Sequence, residues 1–229
     1  MTDWNSVFDG ILTERQFKVN EPMNRHNTYG IGGPADVFVM PQTEDQLKQV
    51  LRRADELHIP VTVIGGGSNS LISDRGIRGI TLCTARMKSS TERKGNQIIV
   101  TGGAGTGAVS RFAMKEGLSG LEFAAGIPGT LLGAVFMNAN GYGSKFANVV
   151  HSVRTVTRDG RQEKHYTLEE IQYGDSDSVF MHNGDIVLEV VFDLKEGNPE
   201  EIKAVMDEYQ ASRRAKQPLE KRSAGTMFL

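Results

Sequence analysis

"VTVIGGGSNSLISD", residues 61–74, carries a short β-branched run straight into three consecutive glycines. Val61-Thr62-Val63-Ile64 has the composition of a strand. Glycine gives up more conformational freedom on folding than any other residue. Gly65, Gly66 and Gly67 together therefore mark a place where side chains would be in the way. Successive backbone N–H groups in a tight turn form an anion-binding concavity, and Ser68, Asn69 and Ser70 add further donors. No Gly-Lys-Ser/Thr follows, so this is not a Walker A loop, and the G-x-G-x-x-G spacing is absent. A phosphate-bearing ligand is the expectation; a plain strand-to-loop turn would need one glycine.

The flanking sequence supplies a frame for that loop. "ADVFVM" (35–40) reads as a strand. Thr43 and Gln46 make a capping-box pattern, and Leu47, Val50, Leu51, Ala54 and Leu57 continue one helical face. Strand, helix, strand, glycine loop is an order common in α/β and α+β folds that bind nucleotides. Trp4, Val7, Phe8, Ile11 and Leu12 predict an earlier helix. Further strands are predicted at Ile80–Leu82 and Ile98–Thr101, and a helix carrying Val109, Phe112 and Ala113 ends at Gly117. Asp159-Gly160 between alternating segments predicts a hairpin, and "DIVLEVVFDL" (185–194) is the clearest strand. Asn198 as cap with Pro199 at the first position starts a last helix. Ile202, Val205, Met206 and Tyr209 form its buried face, and Pro218 stops it.

Bulk properties exclude several classes. The 229 residues carry 26 basic and 28 acidic side chains, a net charge of −2, which gives no electrostatic reason to expect nucleic acid or an anionic membrane as partner. Cys83 is the sole cysteine, so no intrachain disulfide can form and a reducing compartment, the cytoplasm, is expected. The N-terminus lacks a signal-peptide pattern, and "GTLLGAVFMNA" is too short to span a bilayer. Cys83 and Trp4 read as packing residues, and His26, His151, His165 and His182 as surface residues. No metal site is expected.

A second glycine region sharpens the first. In "GLSGLEFAAGIPGTLLGAVFMNANGYG" (117–143), Gly126 and Gly129 flank Ile127-Pro128, and Thr130 is placed to cap the helix that follows. Two such loops in one chain favour a long phosphate-bearing cofactor over a helix joint packed with small residues.

Three segments, "NTYGIGGPADVFVMPQTEDQL" (27–47), "VIGGGSNSLISDRGIRGI" (63–80) and "GLSGLEFAAGIPGTLLGAVFMNA" (117–139), resemble the UDP-N-acetylenolpyruvoylglucosamine reductase family in order, spacing and wording. The resemblance runs on through "RRAKQPLEKRSAGTMF" (213–228). It implies an α+β, two-lobed FAD-binding fold of the p-cresol methylhydroxylase/vanillyl-alcohol oxidase type. The lobes would span 1–78 and 79–197, with the start of an incomplete substrate-binding domain at 198–229. It implies non-covalent FAD held by residues 65–70 and 126–130. It also implies NADPH as hydride donor, UDP-N-acetylglucosamine enolpyruvate as substrate in peptidoglycan synthesis, and a monomer. Lys216, with Arg213 one turn before it, matches a family position that contacts the substrate's phosphates. As two cations they would equally complement the end of a helix.

The catalytic positions depart from the family pattern. The proton donor, a Ser in Ser-Ala-Gly-Ser, is replaced by Thr226. The arginine of Tyr-Arg-x-Ser-x-Phe falls on Ser176, which lacks a guanidinium's fixed charge. A late glutamate has no counterpart before Leu229, and "SAGTMFL" reads as the start of a strand inside which the sequence stops. A non-catalytic FAD-binding relative, or another oxidoreductase of the same flavin fold, is therefore the alternative reading.

Overall fold

The computed structural model describes residues 2–223. Helix α1 (Trp4–Phe8) begins at Asp3, whose carboxylate accepts from the backbone N–H of Asn5 and Ser6. It is shorter than the apolar spacing predicts. Gly10 adopts φ +70°, and Ile11 and Leu12 hydrogen-bond back to Phe8 as a turn instead. Strands β1 (Phe17–Pro22), β2 (Pro34–Val39), β3 (Val61–Ile64) and β4 (Ile77–Cys83) form the first sheet in the order β1-β2-β4-β3. β1 runs antiparallel to β2, and the remaining pairs are parallel. Helix α2 (Glu44–Glu56) makes the crossover between β2 and β3. Thr43 caps it by accepting from Gln46 N–H, but the Gln46 side chain reaches Gln42 N–H rather than closing a capping box on Thr43.

Alternation along the strands sorts this sheet into two faces. Val37, Val39, Ile80 and Leu82 pack under α2 against Leu47, Val50, Leu51 and Ala54. Phe38, Ile64 and Cys83 lie on the other side with Met23 and Ile72. The boundary expected after residue 78 falls inside β4, which pairs with both β2 and β3. Gly79 holds φ +76° within that strand, where Asp36 accepts its N–H and Pro60 O leaves no room for a Cβ.

The second lobe is built on a five-stranded antiparallel sheet. It begins with β5 (Ser90–Lys94) and β6 (Gln97–Thr101), then helix α3 (Thr106–Lys115), β7 (Leu118–Ser119) and helix α4 (Leu131–Phe136). The short pair β8 (Asn140–Gly141) and β9 (Ser144–Lys145) leads to β10 (Val150–Val156) and β11 (Glu163–Thr167). Helices α5 (Leu168–Ile171) and α6 (Val179–Asn183) precede β12 (Ile186–Asp193) and β13 (Lys195–Glu196). The sheet order is β11-β10-β12-β6-β5. One face is covered by α3, α4 and a turn at Glu122–Gly126, around Val109, Phe123, Leu131, Val135, Phe146 and Phe192. From the other, Val156, Ile186 and Leu188 join the core beneath α2, so the lobes share apolar packing.

The β10–β11 hairpin forms as Asp159-Gly160 predicts, with Gly160 at φ +73°. Its turn is pressed onto α2: Arg52 Nε donates to Gly160 O at 2.9 Å, and Arg161 pairs with Asp55.

Helix α7 (Pro199–Lys216) is capped by Asn198 with Pro199 at its first position. It lies against the second lobe, across the boundary expected at 197/198. β13 pairs with β7, Gly197 N–H donates to Gly117 O at 2.9 Å, and Ile202 and Met206 are buried. Tyr209 stacks on Tyr142 with centroids 4.1 Å apart, and the Tyr142 hydroxyl donates to Tyr209 O. Val205, expected on the buried face, is instead exposed. No helix among the described residues is long and apolar enough to cross a membrane.

Candidate functional site

The first glycine loop leaves β3 at Ile64, whose carbonyl accepts from Thr84 Oγ1 at 3.3 Å. It then turns directly against the second glycine loop. A Cβ on Gly66 would lie 2.9 Å from Gly129 Cα, and one on Gly65 would lie 2.4 Å from Thr130 Oγ1. Gly129 holds φ +98°, and a Cβ there would strike Ser68 Oγ at 2.5 Å. Ser68 Oγ donates to Pro128 O at 3.1 Å. Residues 65–68 and 128–130, some sixty positions apart in the chain, are thus one assembly in which missing side chains allow two backbones to meet.

This assembly has unused polar capacity. Among the described residues, the backbone N–H groups of Gly66 through Ser70 donate to no protein acceptor. Thr130 Oγ1 is fully buried with no hydrogen-bond partner. The expectation that Thr130 caps α4 with its side chain is corrected: its carbonyl accepts from Ala134 N–H, but the hydroxyl sits in the space left by Gly65 and Gly133 and makes no cap bond. An orphaned buried hydroxyl costs about 1–3 kcal/mol, which a polar ligand would recover. Asn69 and Ser70 line a cleft of about 400 Å³ beside the edge strand β3, with Ile64, Leu71 and Ile72.

A third loop, 26–33, backs the first. Thr28 N–H donates to Gly67 O, and a Cβ on Gly67, at φ +68°, would lie 2.0 Å from His26 O. The Asn27 side chain knits this loop, donating to Met23 O and Ile31 O and accepting from Gly30 N–H. His26 is not the surface residue the sequence suggested. Its ring stacks on Phe38 at 4.0 Å, and Nε2 lies 2.8 Å from Glu21. Burial raises the Glu21 pKa, but His26 and Lys18 outweigh it and hold the carboxyl below its ordinary range. The sequence signal for this loop is the cluster of Gly30, Gly32 and Gly33.

The remaining expected residues separate. Arg213 lies on the second loop, with its Cδ and Nη1 both 3.4 Å from where a Gly126 Cβ would be. Lys216 is exposed on the last turn of α7. Ser176 is exposed at φ +53° in a tight turn closed by Gly174 N–H to Asp177 O. That turn docks on the C-terminal end of α4, where Asn138 Nδ2 donates to Gly174 O and Ser178 Oγ to Phe136 O. Ser176 and the glycine loops are thus at opposite ends of a six-residue helix, about 9 Å long. Thr226 lies outside the described residues. Cys83 is buried behind the first loop, and burial pushes its thiol pKa up, so it stays protonated and inert.

A family model described as "FAD binding domain" matches residues 35–165. The chain is 44% identical to the UDP-N-acetylenolpyruvoylglucosamine reductase of Geobacillus thermodenitrificans, over 95% of its own length and 71% of that protein's. It superposes on the crystal structure of the UDP-N-acetylenolpyruvylglucosamine reductase from Thermus caldophilus with a TM-score of 0.76 and 30% identity, covering 93% of this chain and 74% of that one. The chain belongs to the UDP-N-acetylenolpyruvoylglucosamine reductase family. The family is one of oxidoreductases, and FAD is its cofactor. A TM-score of 0.63 to 4-ethylphenol oxidase from Gulosibacter chungangensis, at 13% identity over 83% of this chain and 42% of that one, places the two lobes in the p-cresol methylhydroxylase/vanillyl-alcohol oxidase type of fold. The glycine assembly fits such a cofactor. Free N–H donors, an orphaned hydroxyl and backbone without side chains are what a diphosphate needs.

Proposed function

We propose that this chain holds FAD non-covalently with residues 65–70 and 126–130, as the flavin-binding part of a reductase acting on UDP-N-acetylglucosamine enolpyruvate with NADPH as donor. The observation that carries this is the junction itself: a loop whose N–H groups at Gly66–Ser70 are unpaired among the described residues, packed through Gly65 against the buried, partnerless Thr130 hydroxyl. When bound, FAD supplies hydride transfer. The chain's own residues bind and orient it: the first loop through backbone donors, the second through Thr130, and Arg213 by bringing a fixed positive charge to Gly126. Residues 2–83 and 84–197 would act as the two lobes, with α7 riding on the second. A site built wholly within one chain, and a single buried thiol, support a monomer in the reducing cytoplasm.

A second reading, a family member that keeps the flavin and has lost the chemistry, is favoured by position 176. An exposed Ser on a left-handed turn offers no guanidinium for a developing negative charge. The two readings separate by rapid mixing without oxygen: the flavin is reduced chemically, the enolpyruvyl substrate is added, and reoxidation is followed. Fast reoxidation would support the reductase; slow reoxidation, the outcome that the exposed Ser176 favours, would support the second reading. Fast reoxidation would show that Ser176 does not impair the chemistry. A protein that is colourless and takes up no FAD would overturn the cofactor site itself.

A further inference from the structure

A planar trans peptide carries its carbonyl and the next residue's N–H in opposite directions. Whatever holds the carbonyl therefore aims the donor. In the first glycine loop several carbonyls are held from behind. Cys83 Sγ donates to Gly65 O at 3.7 Å, which turns the Gly66 N–H away from β4. Thr28 N–H donates to Gly67 O at 3.3 Å, and Thr28 Oγ1 donates to Ser68 O at 3.5 Å. Those two bonds turn the N–H groups of Ser68 and Asn69 away from the loop at 26–33. Both belong to the run Gly66–Ser70, whose N–H groups have no acceptor among the described residues. Thr28 thus directs two neighbouring donors, one through its backbone and one through its side chain.

A residue that aims others must itself be fixed. Asn27, next to Thr28, donates to Met23 O at 2.7 Å and to Ile31 O at 2.8 Å, and accepts from Gly30 N–H at 2.8 Å. His26, before it, is pinned between the Phe38 ring and Glu21. Met23 N–H donates to Gly33 O at 3.2 Å and joins the two ends of the loop. Gly67 is pressed onto this brace, since a Cβ there would fall 2.0 Å from His26 O. The Thr28 hydroxyl has a single proton. Ser68 O takes it, which leaves none to donate to a phosphate oxygen.

We propose that Thr28 is a positioning residue for the cofactor's diphosphate: by tying back the carbonyls of Gly67 and Ser68 it presents the Ser68 and Asn69 N–H groups before any ligand arrives. The proposal rests on the cofactor reading above. It assigns the hydroxyl to the Ser68–Asn69 peptide and gives it no contact with FAD.

The test pairs FAD titration, followed by flavin fluorescence, with amide NMR spectra of the FAD-free protein. Thr28→Val keeps the shape and the backbone N–H but removes the hydroxyl. It is expected to raise the Kd for FAD about fivefold, the range of one hydrogen bond. The Asn69 amide resonance of the free protein should move, that of Gly66 should stay, and the Tm should change by less than about 2 °C. Thr28→Ser, which restores the hydroxyl, is expected to return both the Kd and the Asn69 resonance towards wild type. An unchanged Kd in Thr28→Val would overturn the proposal. A raised Kd with the Asn69 amide unmoved would also overturn it, making the hydroxyl a direct ligand. A raised Kd that Thr28→Ser does not restore would assign the effect to the methyl group and overturn it as well. Wild-type protein that takes up no FAD would instead bring down the cofactor reading, and this role for Thr28 with it.

Discussion

Gly66 and Thr130 face each other across the loop junction and make opposite predictions. Gly66 has ordinary backbone angles, so its need for hydrogen is steric: a side chain would push on Gly129 Cα, which is backbone and cannot swing aside. Gly66→Val is expected to abolish FAD uptake, measured by flavin fluorescence and by the colour of the purified protein. Thr130→Val keeps the shape and removes the orphaned hydroxyl. The apo-protein is expected to gain about 1 kcal/mol, or roughly 2–4 °C in Tm, while FAD affinity falls. Affinity unchanged in Thr130→Val would mean that the hydroxyl is not used by the cofactor. The glycines were legible in the sequence because their number exceeds what a turn requires. The orphaned hydroxyl was not, because the rule for helix caps assigned Thr130 a bond that the packing of Gly65 and Gly133 does not demand.

The hairpin of β10 and β11 is the element that ties the lobes together electrostatically. Arg154, on β10, donates to Glu44 at the start of α2, to Glu163 on β11 and to Glu189 on β12. The hydrogen bond to Glu44 leads in pushing its already high pKa further up. Arg154→Leu leaves three carboxylates facing one another and is expected to cost about 2–3 kcal/mol at pH 7, less than a fully buried pair would lose. Glu163 sits below its ordinary value of 4.5, first through its hydrogen bond to Lys48 and then through Arg154. A depressed folded pKa stabilises above the unfolded value and loses that effect as pH falls through the folded one. Wild-type Tm is therefore expected to drop from pH 5 towards pH 3. The gap between wild type and Arg154→Leu should narrow over the same window, since protonated carboxylates no longer need the guanidinium. A gap that stays constant down to pH 3 would show that Arg154 acts by packing. The hairpin itself could be read from Asp159-Gly160, because turn chemistry is local. Its docking on α2 could not, since Arg52, Asp55 and Arg161 have no local signature that names a partner more than a hundred residues away.

The two lobes unfold together if the core drawn from both is continuous. Leu51 and Ala54 on α2 share a cluster with Val156, Ile186 and Leu188 on the second sheet. One cooperative transition is expected by calorimetry, and FAD at a hundred times its Kd should add about 2.7 kcal/mol, or roughly 5–10 °C in Tm. Two resolved transitions, of which FAD moves only one, would contradict that continuity. Strand-helix-strand order and glycine loops made the fold legible. The lobe boundary and the attachment of α7 were hidden, because β4 and α7 owe their places to partners rather than to their own composition. The shared core also bears on biosynthesis. The α2 face is made early, yet Ile186 and Leu188, which seal it, leave the ribosome more than 130 residues after Ala54. At about 5–20 residues per second, the part of that apolar core which the first sheet does not cover stays open for roughly 7–27 seconds, long enough to make it a natural client for chaperones that meet growing polypeptides at the exit tunnel.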